Sequence, residues 1–384
     1  MYQAEIQNKN YHRSGKERFS TMPNPQLVSR RSLIRGTTFT VAAAALRGFE
    51  LNGSESTLDS TSAQKPNEAC DGEILGQEPF RYRAYRLWGL LDRSHYPVKD
   101  CHGIAEDRTG RIVLLTNDIR NNLLAYDKAG KFIQAWEKRF PGAHGLDIED
   151  SHGEDRYWIT DHDVQCVSVC APDGRELRRT GPDALAAKYP ELKKYHPTNS
   201  AVMPEGDFFI SDGYGSSFVH HMDPEGHYIS SFGGTGDAPP NLNTPHAVWI
   251  DTRAGKPSLL VCDRGNEMLK WFSPSGELQQ VVPVPGAQPS NVAPFNGTND
   301  ARFKNHIAIA SLNGMILILD ASNRVVSVVG GEPPRYVEGK LQPLEVFNYT
   351  FNHPHDVYAD STGALYVAQW WSNQSYPIQL RRVG

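Results

Sequence analysis

From residue 100 onward one pattern recurs six times: an apolar strand, a D-x-x-G-type turn, a second apolar strand, then two more strands about a short turn. The second strand commonly ends in a Ser/Thr/Cys-Asp pair. The later turns read Lys128-Ala129-Gly130, Pro172-Asp173-Gly174, Pro224-Glu225-Gly226, Pro274-Ser275-Gly276 and a degenerate Ala321-Ser322-Asn323. Equivalent points at 102, 144, 199, 246, 291 and 355 lie 42, 55, 47, 45 and 64 residues apart, with insertions at 181–196 and 331–352. Four strands every 40–50 residues or so is the signature of a propeller blade, which cannot bury its faces alone and must stack against neighbours. The last repeat ends one strand short, and 81–89 (RYRAYRLWG) has the character of an outer strand that completes it. Such a closure removes two exposed edges. A β-sandwich would not repeat its turn chemistry at this period. The expectation is an all-β, six-bladed propeller over residues 80–384.

The rest of the chain reads as an address and a tether. Ser29-Arg30-Arg31-Ser32-Leu33-Ile34-Arg35 resembles the twin-arginine export motif, and a short apolar run, 36–46, follows it. That run fits a signal region better than a membrane span, and no stretch reaches the ~18 apolar residues a transmembrane helix needs. Met22 is an alternative start. Residues 1–47 form the expected leader, and 48–79, rich in Ser, Thr, Asn, Gln and Glu, a disordered linker. Export to the bacterial periplasm or medium follows as an expectation. The first 47 residues hold eight Lys/Arg and two Asp/Glu, so the remainder carries −11 where the whole chain carries −5. An acidic body is a poor partner for a phosphate backbone, so nucleic acid is disfavoured and a small molecule or peptide is the expected ligand of a monomer. The five cysteines impose no disulfide framework: Cys166 and Cys170 share a strand face, while Cys70 and Cys101 are a possible pair.

The first strand of a blade lines the channel, so the equivalent positions His102, His144, Asn199, His246, Asn291 and His355 are expected to face one another. His144, His246 and His355 stand one residue into the strand in three blades. Three neutral imidazoles meeting at one point make a zinc site with an open fourth position, the catalytic form of zinc coordination. Channel histidines bound to backbone or water are the alternative. Asp356 alternates to the other side of its strand, where it could join a calcium ion, which takes oxygen ligands, or accept backbone hydrogen bonds.

Across residues 100–384 the sequence resembles the lyase domain of peptidylglycine α-amidating enzymes, a six-bladed zinc propeller with NHL-type repeats. The resemblance rests on His144-Gly-Leu-Asp-Ile, Tyr157-Trp-Ile-Thr-Asp, Pro197-Thr-Asn, Ser211-Asp-Gly-Tyr214, Pro245-His246, Cys262-Asp-Arg264-Gly-Asn266 and Pro354-His355-Asp356. It implies zinc on His144, His246 and His355, a catalytic tyrosine at Tyr214 and an active-site arginine at Arg264. It further implies calcium on Asp356 with the carbonyls of Leu146 and Ile104. The implied reaction cleaves a peptidyl-α-hydroxyglycine to an amide and glyoxylate. The alternative for Tyr214 is a turn aromatic, and for Arg264 half of an interblade salt bridge. The sequence departs from the family at several points. The blade-one arginine is replaced by Asn117, with Arg120 nearby; a methionine is replaced by His353; a cysteine is replaced by Gly215. His102 and His353 are additional candidate axial residues. Two other readings stand beside this one: a non-enzymatic NHL-type propeller that binds protein or glycan, and a metal-dependent hydrolase of the lactonase kind. The latter calls for acidic and amide groups at the channel.

Overall fold

Strands such as Ile112–Thr116 and Met315–Leu319 are buried at every position, whereas Leu278–Pro283 is exposed or half-exposed throughout. Continuously apolar strands must be covered on both faces, so each repeat forms a sheet that runs from a dry interior to a wet outer edge. The computed structural model describes residues 72–384 apart from 152, 187, 189–193, 296, 299, 347–349 and 371–375. The expected leader, residues 48–71 of the expected linker and Cys70 lie outside the described residues.

Five sheets of four sequential antiparallel strands are blades one to five, beginning at Cys101–Glu106, Ala143–Ser151, Asn199–Val202, Pro245–Asp251 and Pro289–Pro294. Blade six is built from Pro354–Ala359, Leu365–Gln369 and Ile378–Arg382. Phe80–Tyr85 pairs with the last of these, from Tyr82↔Arg382 to Tyr85↔Gln379, and so closes the ring between the two ends of the chain. Six apolar cores lie between successive blades; one, for example, joins Leu114 and Tyr126 of blade one to Tyr366 and Ala368 of blade six.

Blade six also carries a fifth strand, Ile74–Gln77, within the segment that the sequence reads as linker. Its apolar content is too slight to announce a strand; the neighbouring blade holds it. The Gln77 amide donates to Ser327 Oγ (3.0 Å), and the Gln77 side-chain carbonyl accepts from Val328 N (2.7 Å). Gln77→Ala would orphan that buried amide, at a cost of about 1–3 kcal/mol. Denaturant unfolding of the variant should show a lowered midpoint with an unchanged slope.

The inner strands are irregular where it matters for function. Pairing shifts at Cys101/Gly103, Ala143/Gly145, Pro245/Val248, Pro289/Asn291 and Pro354/Asp356. A bulge re-aims the side chain it contains, and these contain His102, His144, His246, Ser290 and His355. In blade three the regular ladder starts at Asn199↔Ser211, with Thr198 one level above. This corrects the expected channel ring: Thr198 and Ser290, not Asn199 and Asn291, are level with the histidines. The two asparagines belong one step deeper, at the level of Asp356.

Candidate metal centre

Each of three imidazoles is oriented by the blade next to its own. His144 Nδ1 lies 2.7 Å from the carbonyl of Thr198, His246 Nδ1 2.7 Å from that of Ser290, and His355 Nδ1 2.7 Å from that of His102. A carbonyl only accepts, so each Nδ1 carries the proton and each Nε2 presents a lone pair. Blades two, four and six thus supply lone pairs, while blades three, five and one hold the rings. A carbonyl behind the ring is the usual partner of a metal-binding histidine.

The lone pairs converge. His144 Nε2 and His355 Nε2 are 3.1 Å apart, and the His246 ring centroid is 4.8 and 4.6 Å from those of His144 and His355. Two acceptors at that distance repel unless a cation sits between them. Tetrahedral zinc with bonds of about 2.05 Å separates two nitrogens by about 3.3 Å. Burial first, then neighbouring imidazoles and the Arg264 guanidinium, hold these histidines and His102 far below the ordinary imidazole range. At neutral pH a shared proton is therefore disfavoured, and the donor set fits a borderline metal ion.

Loops at the same end of the channel are pinned by the Asp of each Ser/Thr/Cys-Asp pair. Asp212 accepts from His196 N (2.7 Å) and Ser216 N (2.7 Å). Asp263 accepts from Asn243 N (2.6 Å) and pairs with the buried Lys270 ammonium (2.8 Å). The first loop delivers Tyr214. It needs glycine on both sides: a Cβ on Gly213 would meet Pro245 O at 2.5 Å, and one on Gly215 would meet Lys194 O at 2.2 Å. Tyr214 Oη lies 3.0 Å from His144 Nε2 and 3.3 Å from His246 Nε2. The second loop delivers Arg264, whose Nη2 is 3.4 Å from Tyr214 Oη and whose guanidinium stands 5.4 Å from the phenol ring centroid. Among the described residues Arg264 makes no ion pair. The interblade salt bridge considered for it is therefore not formed there, and a partly buried fork is left for an anion from outside.

Neither Asn117 nor Arg120 offers a second free cation, whereas the charge of Lys99 acts on His102 and His162. Asn117 donates to Asp100 Oδ2 (3.2 Å), and Arg120 is neutralised by Asp118 (Nε to Oδ1, 2.8 Å). His353 packs on Trp370 (5.7 Å) with Nδ1 against Leu312 O (2.7 Å). Like His246, it lies outside the group that His102, His144 and His355 form, whose ligand atoms lie within 4.8 Å of one another. His353 and Thr244 have φ of +51° and +55°, each directly before the proline that precedes an axial histidine. Strain of this kind persists where the surroundings over-determine it.

One step down the channel, Asp356 accepts from Ile104 N (2.8 Å) and Val357 N (2.7 Å). The contact to Ile104 is thus with its amide. Burial raises the Asp356 carboxyl to about 8, with Asp147 contributing, and raises Asp147 itself to about 6. Asp356, which is buried, and Asp147, which is half-buried, offer hard oxygen donors of the kind calcium takes. Sequence reading missed Asp147, and it missed His162, whose ring lies 5.5 Å from His144 and 5.6 Å from Tyr214. His162 directly follows Asp161 of a Thr-Asp pair, as Arg264 directly follows Asp263, and that position was the available signal.

No family model matches the chain. A peptidyl-glycine alpha-amidating monooxygenase of Mus musculus is 24% identical over 263 residues, covering 62% of this chain and 23% of its own length. A peptidyl-alpha-hydroxyglycine alpha-amidating lyase of Drosophila melanogaster is 27% identical over 323 residues, covering 75% of this chain and 52% of its own. An NHL repeat-containing protein 3 of Homo sapiens is 26% identical over 266 residues, 66% of this chain and 71% of its own. The chain is a six-bladed β-propeller with sequence similarity to NHL-repeat proteins and to amidating enzymes. It spans less than a quarter of the mouse monooxygenase and about half of the fly lyase. Among solved structures, streptogramin B lyase superposes with a TM-score of 0.50 at 12% identity over 79% of this chain and 98% of its own. A gluconolactonase from Xanthomonas campestris does so with 0.51 at 12% over 79% and 90%. These two share the propeller fold.

Proposed function

We propose that this propeller is a zinc-dependent lyase that cleaves a carbinolamine of the peptidyl-α-hydroxyglycine type into an amide and glyoxylate. The observation that carries the reading is the set of three Nδ1-anchored imidazoles with Tyr214 Oη within 3.3 Å of two of their Nε2 atoms. The similarity to a fly lyase named for this chemistry supports it.

His144, His246 and His355 would hold the ion, which when bound supplies Lewis acidity that lowers the pKa of a substrate hydroxyl. Tyr214, as the phenolate, would take the hydroxyl proton and be left as the neutral phenol. As that proton leaves, the C–O bond gains double-bond character, the C–N bond breaks, and the departing nitrogen takes up a proton to become the amide. Arg264 offers its planar fork to the carboxylate that ends as glyoxylate, holding the carbinol carbon near Tyr214. Asp356 and Asp147 would hold calcium beneath, fixing the inner strands. The chain would be exported by its twin-arginine leader and act as a monomer.

A non-enzymatic NHL module that binds protein or glycan is the second reading, favoured by the similarity to the human NHL repeat-containing protein. Elemental analysis separates the two. The lyase reading expects about one zinc per chain and glyoxylate released from an N-acyl-α-hydroxyglycine. Protein that takes up no transition metal when zinc is offered, and releases none of the aldehyde, is a binding module.

A further inference from the structure

A fourth imidazole reaches the axis and has no place in a three-histidine site. His102 is buried, and its Nδ1 lies 3.1 Å from His355 Nε2. Its Nε2 is buried without a hydrogen-bond partner. The ligand atoms of His102, His144 and His355 all lie within 4.8 Å of one another, close enough for one ion to serve. The His102 backbone carbonyl is already the anchor of His355 Nδ1, so blade one supplies both the support for one ligand and a ring of its own.

We infer that His102 is a fourth protein ligand of the axial metal, bound through Nδ1, whereas His144, His246 and His355 bind through Nε2. The inference rests on the metal reading above and follows from proton placement. His355 carries its proton on Nδ1, so its Nε2 is an acceptor. Without an ion, His102 Nδ1–H donates to it. Once an ion takes that lone pair, the same N–H would point at an occupied nitrogen and a positive charge. Moving the His102 proton to Nε2 removes the conflict and turns the Nδ1 lone pair toward the ion. The site then has four nitrogens, and a substrate oxygen enters as a fifth ligand rather than a fourth.

The test uses the full chain loaded with Co²⁺ or Zn²⁺. His102→Ala should weaken zinc in competition with a chelating dye by at least about tenfold, the scale on which even the outer partners of ligands act. The visible bands of the cobalt form should shift as a solvent oxygen replaces the lost nitrogen, and free imidazole should reverse both changes. His102→Gln keeps the side-chain volume if the alanine variant folds poorly. In zinc-loaded wild type, ¹⁵N-histidine spectra should show three ligands protonated at Nδ1 and one at Nε2, a readout that needs no variant. Unchanged affinity and cobalt bands in His102→Ala, or only three coordinated imidazoles in wild type, would overturn the inference and leave the three-histidine site intact. Wild type that binds neither metal overturns both.

Discussion

Tyr214→Phe should keep the metal and the fold and lose turnover by about 10²- to 10⁴-fold, the range for removing a positioned proton-transfer group. Phenylalanine preserves the ring, which packs 5.0 Å from His144 and lies beneath the Arg264 guanidinium. It deletes only the hydroxyl oxygen that lies within 3.4 Å of His144, His246 and Arg264. Asp212 pins the loop by accepting from His196 N and Ser216 N, so the ring should stay where it is. Glyoxylate release over time and zinc content, measured on one preparation, separate the outcomes. Full turnover in the variant would take Tyr214 out of the chemistry and leave the hydroxyl as a lid on the imidazoles. Lost turnover together with lost zinc would make Tyr214 a support of the metal.

The ring of blades was legible because its turn chemistry is local: an Asp side chain that accepts from amides two and four residues on, as Asp107, Asp127, Asp223 and Asp360 do, leaves the same mark each time. The level of each side chain in the channel was not. A bulge inserts one residue without any compositional trace, so Asn199 and Asn291 were placed a step too high and Thr198 and Ser290 were overlooked. Their side chains are not what matters at that level; their carbonyls are, and a backbone atom has no letter in a sequence. The same holds for Ile74–Gln77, whose place depends on hydrogen bonds to Ser327 and Val328 some 250 residues away. The axial histidines were legible as residues. Which three are anchored from behind, and which one is not, came only from the fold.

That distinction sets the expectation for His246→Ala. The variant should lose most of its metal, with affinity falling by roughly 100-fold, the upper end of what loss of a group that only holds a ligand in place costs. It should keep its strand content. The side chain carries one lone pair for the ion and one N–H for the Ser290 carbonyl, so its loss orphans a buried acceptor at about 1–3 kcal/mol. The six interblade cores remain. Circular dichroism and elemental analysis of dialysed protein check the two halves separately. Retention of full metal would not empty the axis of meaning. His102, His144 and His355 already bring their ligand atoms within 4.8 Å of one another, and an ion indifferent to His246 must sit on that trio. Tyr214 would then contact the metal shell through His144 alone, and the reaction would have to be read from the other side of the channel.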